Sequence, residues 1–106
     1  MTALDPGIAG GTSSLTVTGA PPGETIKFEY SFNIGSSIIS GGTCNGENLD
    51  INSQNNIGMT AANGSGVATL NVPIPPGAGG LTVHMQAYTE TGASCGTSNW
   101  VTQTLL

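Results

Sequence analysis

Apolar side chains recur at every second position along most of this chain, and a period of two predicts β-strands rather than helices. Leu15 and Val17 alternate with Ser14, Thr16 and Thr18. Ile26, Phe28, Tyr30 and Phe32 alternate with Lys27, Glu29 and Ser31, which predicts one aromatic and aliphatic face and one polar face. A short run over residues 36–40 carries Ile38 and Ile39, and Leu49 with Ile51, then Ile57, Met59 and Ala61, follow it. Ala68, Leu70, Val72 and Ile74 form another alternating face opposite Thr69 and Asn71. Leu81, Val83, Met85 and Ala87 repeat the pattern and turn Thr82, His84, Gln86 and Tyr88 outward. The chain closes on a β-forming run from Trp100 to Leu106.

Turn chemistry separates these runs. Ala20-Pro21-Pro22-Gly23, Pro75-Pro76-Gly77 and Gly79-Gly80 stop any regular element. Ala62-Asn63-Gly64-Ser65-Gly66 lies between two alternating runs and reads as a hairpin, because Asn-Gly tolerates positive φ at both turn positions. No stretch keeps a helical period free of glycine or β-branched crowding. Seven or eight short strands in roughly 95 residues predict an all-β, antiparallel sandwich. Residues 12–106 form that single domain, and residues 1–11 read as a flexible arm or an edge segment.

From Leu15 onward the chain resembles bacterial secreted or cell-surface immunoglobulin-like (fibronectin-like) β-sandwich modules. The stretches that carry the likeness are LTVTGAPPGETIKFEYS, the segment from Cys44 to Ile51, ANGSGVATLNVPIPPGAGGLTVHMQAY, and Cys95 followed by SNWVT. The resemblance implies an immunoglobulin-like sandwich in a surface-exposed, non-catalytic setting. It implies no particular activity.

Charge narrows the function. Only 7% of the 106 residues are charged, and Lys27 is the sole basic side chain against six acids, for a net charge of −5. One lysine cannot neutralise a phosphate backbone, which excludes a nucleic-acid partner. The absence of a polybasic or long apolar segment argues against membrane binding or insertion. The amino-terminal MTALDPGIAGGTSS lacks the basic and apolar regions of a signal peptide, so an extracellular or cell-surface location requires a signal already removed. Cys44 and Cys95 sit in glycine-flanked polar segments too far apart for CxxC chemistry. A disulfide is the favoured reading and places the chain in an oxidising compartment; two buried free thiols are the alternative.

Candidate chemistry is sparse, and no cofactor is expected. His84 is the only imidazole and falls on a polar strand face, GxSxG is absent, and the acids Asp5, Glu24, Glu29, Glu47, Asp50 and Glu90 are scattered. The chain therefore reads as a non-enzyme. The polar loop over residues 45–56 carries Glu47, Asp50 and Asn52 as weak calcium candidates, without the glycine and terminal glutamate of a hand-type loop. Tyr88 and Trp100 are candidates for a sugar-stacking pair, and Asn63-Gly64-Ser65 matches a glycosylation acceptor.

Outward positions are mostly Thr, Ser, Asn and Gln, which lose little on being buried against a partner. Strand edges without lysine are open to pairing, and Leu4 and Ile8 are spaced along an arm that can add to a neighbour's sheet. The expectation is a self-associating subunit of a surface fibre, stalk or layer, with copies of itself or other surface proteins as partners. The alternative is a carbohydrate-binding or adhesion module with glycan partners.

Overall fold

A computed structural model describes residues 1–2, 4–52, 55–90, 92 and 95–106. Its strands in chain order are β1 (Thr12–Val17), β2 (Thr25–Ser31), β3 (Asn33–Ile38), β4 (Asn48–Asn52), β5 (Asn55–Ala61), β6 (Ala68–Pro73), β7 (Thr82–Thr89) and β8 (Val101–Thr104), with one 3-10 turn at Pro76–Ala78. All pairings are antiparallel. A four-stranded sheet runs β5-β2-β7-β8 and a two-stranded sheet pairs β1 with β6. The two enclose the main core in a sandwich-like arrangement.

The alternation read from the sequence explains this core. Leu15 and Val17 from β1, Ile26 and Phe28 from β2, Ala68 from β6, and Val83, Met85 and Ala87 from β7 all point into it. Phe28 and Leu15 have no exposed surface, so truncating either to alanine removes several buried methylenes and leaves a cavity.

The amino-terminal segment closes one side. Thr2 donates its backbone N–H to Thr16 O, and Asp5 exchanges backbone bonds with Ser14, so this stretch runs along the outer edge of β1. Gln103 of β8 then holds it with one amide. Its Oε1 accepts from Leu4 N at 2.8 Å and its Nε2 donates to Leu4 O at 2.9 Å. Leu4 is consequently buried in its own chain's core, whereas Ile8 is exposed. As an arm residue presented to a neighbour, Leu4 is therefore corrected: its side chain is already used at home.

The third sheet is a separate hairpin of β3 and β4. The chain bends at Phe32, leaves the four-stranded sheet, and folds back over the outer face of β2 and β7. Residues 45–56 are thus not one polar loop, since they include β4 and the start of β5. Leu49 and Ile51 are fully buried beneath this hairpin together with Ile39, while Ile38 points to solvent because adjacent strand residues face opposite ways. Along β5 the inward positions are Gly58 and Thr60, opposite Phe28 and Ile26. Met59 sits opposite Lys27 and is half exposed. The register shift beside Glu29 makes a bulge there, which is why the apolar triplet Ile57, Met59 and Ala61 does not form one inner face.

The turn over residues 62–66 is also not a hairpin. β5 pairs with β2 and β6 with β1, so the turn carries the chain from one sheet to the other. Asn63 Oδ1 caps it by accepting from Ser65 N at 2.9 Å and Val67 N at 3.0 Å, an Asx-type arrangement. The positive φ falls on Gly66 (75°), and a Cβ there would lie 2.5 Å from Ala20 O, while Gly64 faces open space. Gly66→Ala is expected to cost on the order of 1–3 kcal/mol, and Gly64→Ala to change stability little. Urea unfolding of both variants checks this, and equal losses would contradict the assignment.

Candidate functional site

The hairpin over β2 and β7 defines the most elaborated polar region of the molecule. It is anchored at four points. Cys44, in the β3–β4 connection, is joined to Cys95 in the β7–β8 connection by a disulfide with Cα atoms 4.8 Å apart. Thr43 donates its N–H to Glu90 O at 3.2 Å and its hydroxyl to Gly92 O at 2.9 Å. Ser31 Oγ donates to Asn52 O. Gln86 Oε1 accepts from Asp50 N at 2.8 Å, and its Nε2 donates to Asp50 Oδ2 at 3.3 Å and Ser98 O at 2.8 Å.

This covering changes the chemistry of the face beneath it. Glu29, Ser31, Gln86 and Tyr88 alternate with core residues and were expected outward, yet all are buried. Tyr88 joins Ile39, Cys44, Leu49 and Ile51 in a second, smaller core. Its Oη donates to Glu29 Oε1 at 3.3 Å, and Lys27 Nζ lies 3.7 Å from the same oxygen. Among the described residues, the Oε2 atoms of Glu24, Glu29 and Glu90 are buried without a hydrogen-bond donor. Burial raises the Glu29 carboxyl above the usual carboxylate range, against the opposing pull of Lys27 and the Tyr88 hydroxyl. Burial, and then the charges of Glu29 and Glu90, push the Tyr88 phenol up as well.

The sequence-predicted candidates are therefore dispersed. Tyr88, at 2% exposure, offers no ring face to solvent and does not pair with Trp100, which is 40% exposed; the proposed sugar-stacking pair is corrected on this point. Trp100 packs instead edge-on to His84, with centroids 6.1 Å apart and planes at 70°. Glu47 precedes β4, and Asp50 and Asn52 lie on its exposed face. Asp50 is engaged by Gln86. Among the described residues no group of three His, Cys, Asp or Glu side chains is placed to hold a metal ion. Asn63 is exposed, with its Oδ1 occupied by the turn.

A further feature carried no sequence signal. Among the described residues, β5 and β6 each have only one strand neighbour. Beside them opens an apolar groove of about 370 Å³, lined by Tyr30, Phe32, Ile57, Val72 and Leu81 and reaching Leu4 and the inner face of β7 at Val83 and Met85. Phe32 and Leu81 are half exposed on its lips, and Tyr30 meets Phe32 edge to face at 5.9 Å. Every residue lining the groove is uncharged. The alternation could only suggest that Phe32 and Leu81 face the core, not that the core is open beside them. No family model, curated protein or solved structure matches the chain.

Two expectations follow from the covered face. The disulfide closes a separation of 51 residues, for which the chain-entropy model gives about 4 kcal/mol. The Cys44→Ala/Cys95→Ala variant should lose stability of that order in denaturant unfolding, and the native chain should weigh two hydrogens less than the reduced one. The second concerns pH. A native pKa above the unfolded one makes this contribution to stability complete below the unfolded carboxylate pKa and lost as pH rises through the native value. Glu29→Gln removes the titration, so its stability relative to wild type should climb through that window and then level off. A difference that stays flat from acid to neutral pH would show that Glu29 titrates normally.

Proposed function

We propose that the chain is a non-enzymatic structural module of a secreted or cell-surface protein, which associates with copies of itself or with other surface proteins through its open β5/β6 side. The observation that carries this reading is the uncharged groove beside two singly paired strands. Burying Phe32 and Leu81 removes apolar surface from water without desolvating a charge, and that favours association. The free edges offer backbone N–H and C=O groups to a further strand. Pro73 ends β6 and lacks a donor, so added pairing is confined to the residues before it. Ile8 and Leu106 extend the apolar exposure at one end of the sandwich.

The disulfide supports an oxidising compartment, and among the described residues no helix is long and apolar enough to cross a membrane. A scaffold of short strands stapled across two connections suits repeated contact outside the cell. The assembly is of the fibre, stalk or layer type, in which one module's groove meets another's edge.

Multi-angle light scattering over a concentration series tests the proposal. Wild type is expected to gain mass with concentration, and Phe32→Glu or Leu81→Glu to remain monomeric while keeping the wild-type circular dichroism spectrum. A wild-type chain that stays monomeric throughout, or associates equally well with either substitution, overturns the reading.

A further inference from the structure

The β3–β4 hairpin covers the outer face of β7 only around Gln86 and Tyr88; the stretch from Thr82 to His84 and the adjoining face of β8 stay open, and that strip has the composition of a ligand platform. Thr82, His84, Trp100, Thr102 and Thr104 all have surface there, His84 being half-buried and the others exposed. Thr82 lies opposite Thr104 and His84 opposite Thr102. The Thr82 and Thr104 hydroxyls are 2.9 Å apart, and His84 Nδ1 is 2.8 Å from Thr102 Oγ1. The indole of Trp100 lies beside His84 in a T-shaped contact, with centroids 6.1 Å apart.

We infer that this strip binds a neutral oligosaccharide, with Trp100 as the stacking surface and the Thr102, Thr82 and Thr104 hydroxyls as hydrogen-bonding partners. An indole face accepts the C–H bonds of a pyranose ring while its edge remains polar. Each threonine hydroxyl carries one donor and two acceptor positions, so a pair that shares one bond retains a donor and acceptors for a ligand. From Trp100 to Thr104 the strand rises about 14 Å, the length of a short oligosaccharide. At the far side of His84, the buried Gln86 amide orients Asp50, whose exposed carboxylate is a further acceptor for sugar hydroxyls.

Charge decides the class of ligand. The strip contains no Lys or Arg, and the chain's single lysine is on β2 beside Glu29. Sulfated, phosphorylated or carboxylated glycans would meet an acidic protein of net charge −5 with no Lys or Arg in the strip to pair with them. A neutral sugar pays no such electrostatic penalty. The inference is independent of the assembly reading, because the strip lies on the outer face of β7 and β8 whereas the groove meets β7 on its inner face, at Val83 and Met85.

Trp100 is the only tryptophan in the chain, so its emission reports on the site directly. Fluorescence titrations with cellotetraose, xylotetraose and chitotetraose, with a glycan array run in parallel, form the test. At least one neutral probe is expected to give a saturable change in emission. Thr102→Ala should weaken that binding about tenfold, the loss of one hydrogen bond. Trp100→Ala should abolish it by calorimetry, and Trp100→Phe should restore part of it. Phe32→Glu should bind as wild type does, whatever its state of association. No neutral glycan bound on the array, binding that survives Trp100→Ala in a folded chain, or a response only to an acidic heparin tetrasaccharide or to tetramethylammonium overturns the inference.

Discussion

The structure depends on the central strands β2 and β7 being buried on both faces. One face of this pair supplies Phe28, Met85 and Ala87 to the main core, and the other supplies Glu29, Gln86 and Tyr88 to the layer beneath the β3–β4 hairpin. Burying polar side chains is unfavourable unless their partners are buried with them. Gln86 meets this demand, since its carbonyl and both amide contacts are directed at Asp50 and Ser98. Glu29 meets it only in part, since one carboxylate oxygen faces Tyr88 and Lys27 while the other has no donor among the described residues. The Cys44–Cys95 bond holds the covering hairpin over a face that would otherwise return to water.

The two sides of the sandwich are unequal, and that asymmetry separates stability from interaction. On one side Gln103 stands in for a strand partner of Leu4, so the amino-terminal segment bridges β1 and β8. Among the described residues β5 and β6 have no second strand neighbour, and the core opens beside them as a groove that Leu4 helps to line. The uncharged groove and the polar strip around Trp100 are distinct surfaces that use opposite faces of β7. A module built this way can join neighbours through one and present the other.

The low charge of the chain takes on a different meaning in this arrangement. Read as strand faces, it implied an uncharged shell available to partners. Part of that shell is instead the face of β2 and β7 covered by the chain's own hairpin. Alternation of Lys27, Glu29 and Ser31 with Ile26, Phe28 and Tyr30 marks which residues share a face. It does not reveal whether the polar face meets water or another layer. Tyr88 was misplaced for this reason. Its neighbours in sequence say that it points away from the main core, and only the hairpin determines that a second core lies there. The turn over residues 62–66 shows the same limit, since Asn-Gly chemistry bends the chain without specifying which strand the next one pairs with.

Local physics was therefore legible in the sequence alone. Period-two patterning located nearly every strand, the Pro and Gly clusters marked the turns, and the two cysteines foretold the disulfide. These features depend on neighbours a few residues apart, where backbone sterics and side-chain alternation act. Three things were decided only by tertiary structure: the second layer over β2 and β7, the groove beside β5 and β6, and the pairing of Trp100 with His84 rather than Tyr88. Each rests on contacts between segments far apart in the chain, such as Asp50 with Gln86 or Leu4 with Gln103. Alternation gives such contacts no signature, because it records the direction of a side chain and not what waits for it there.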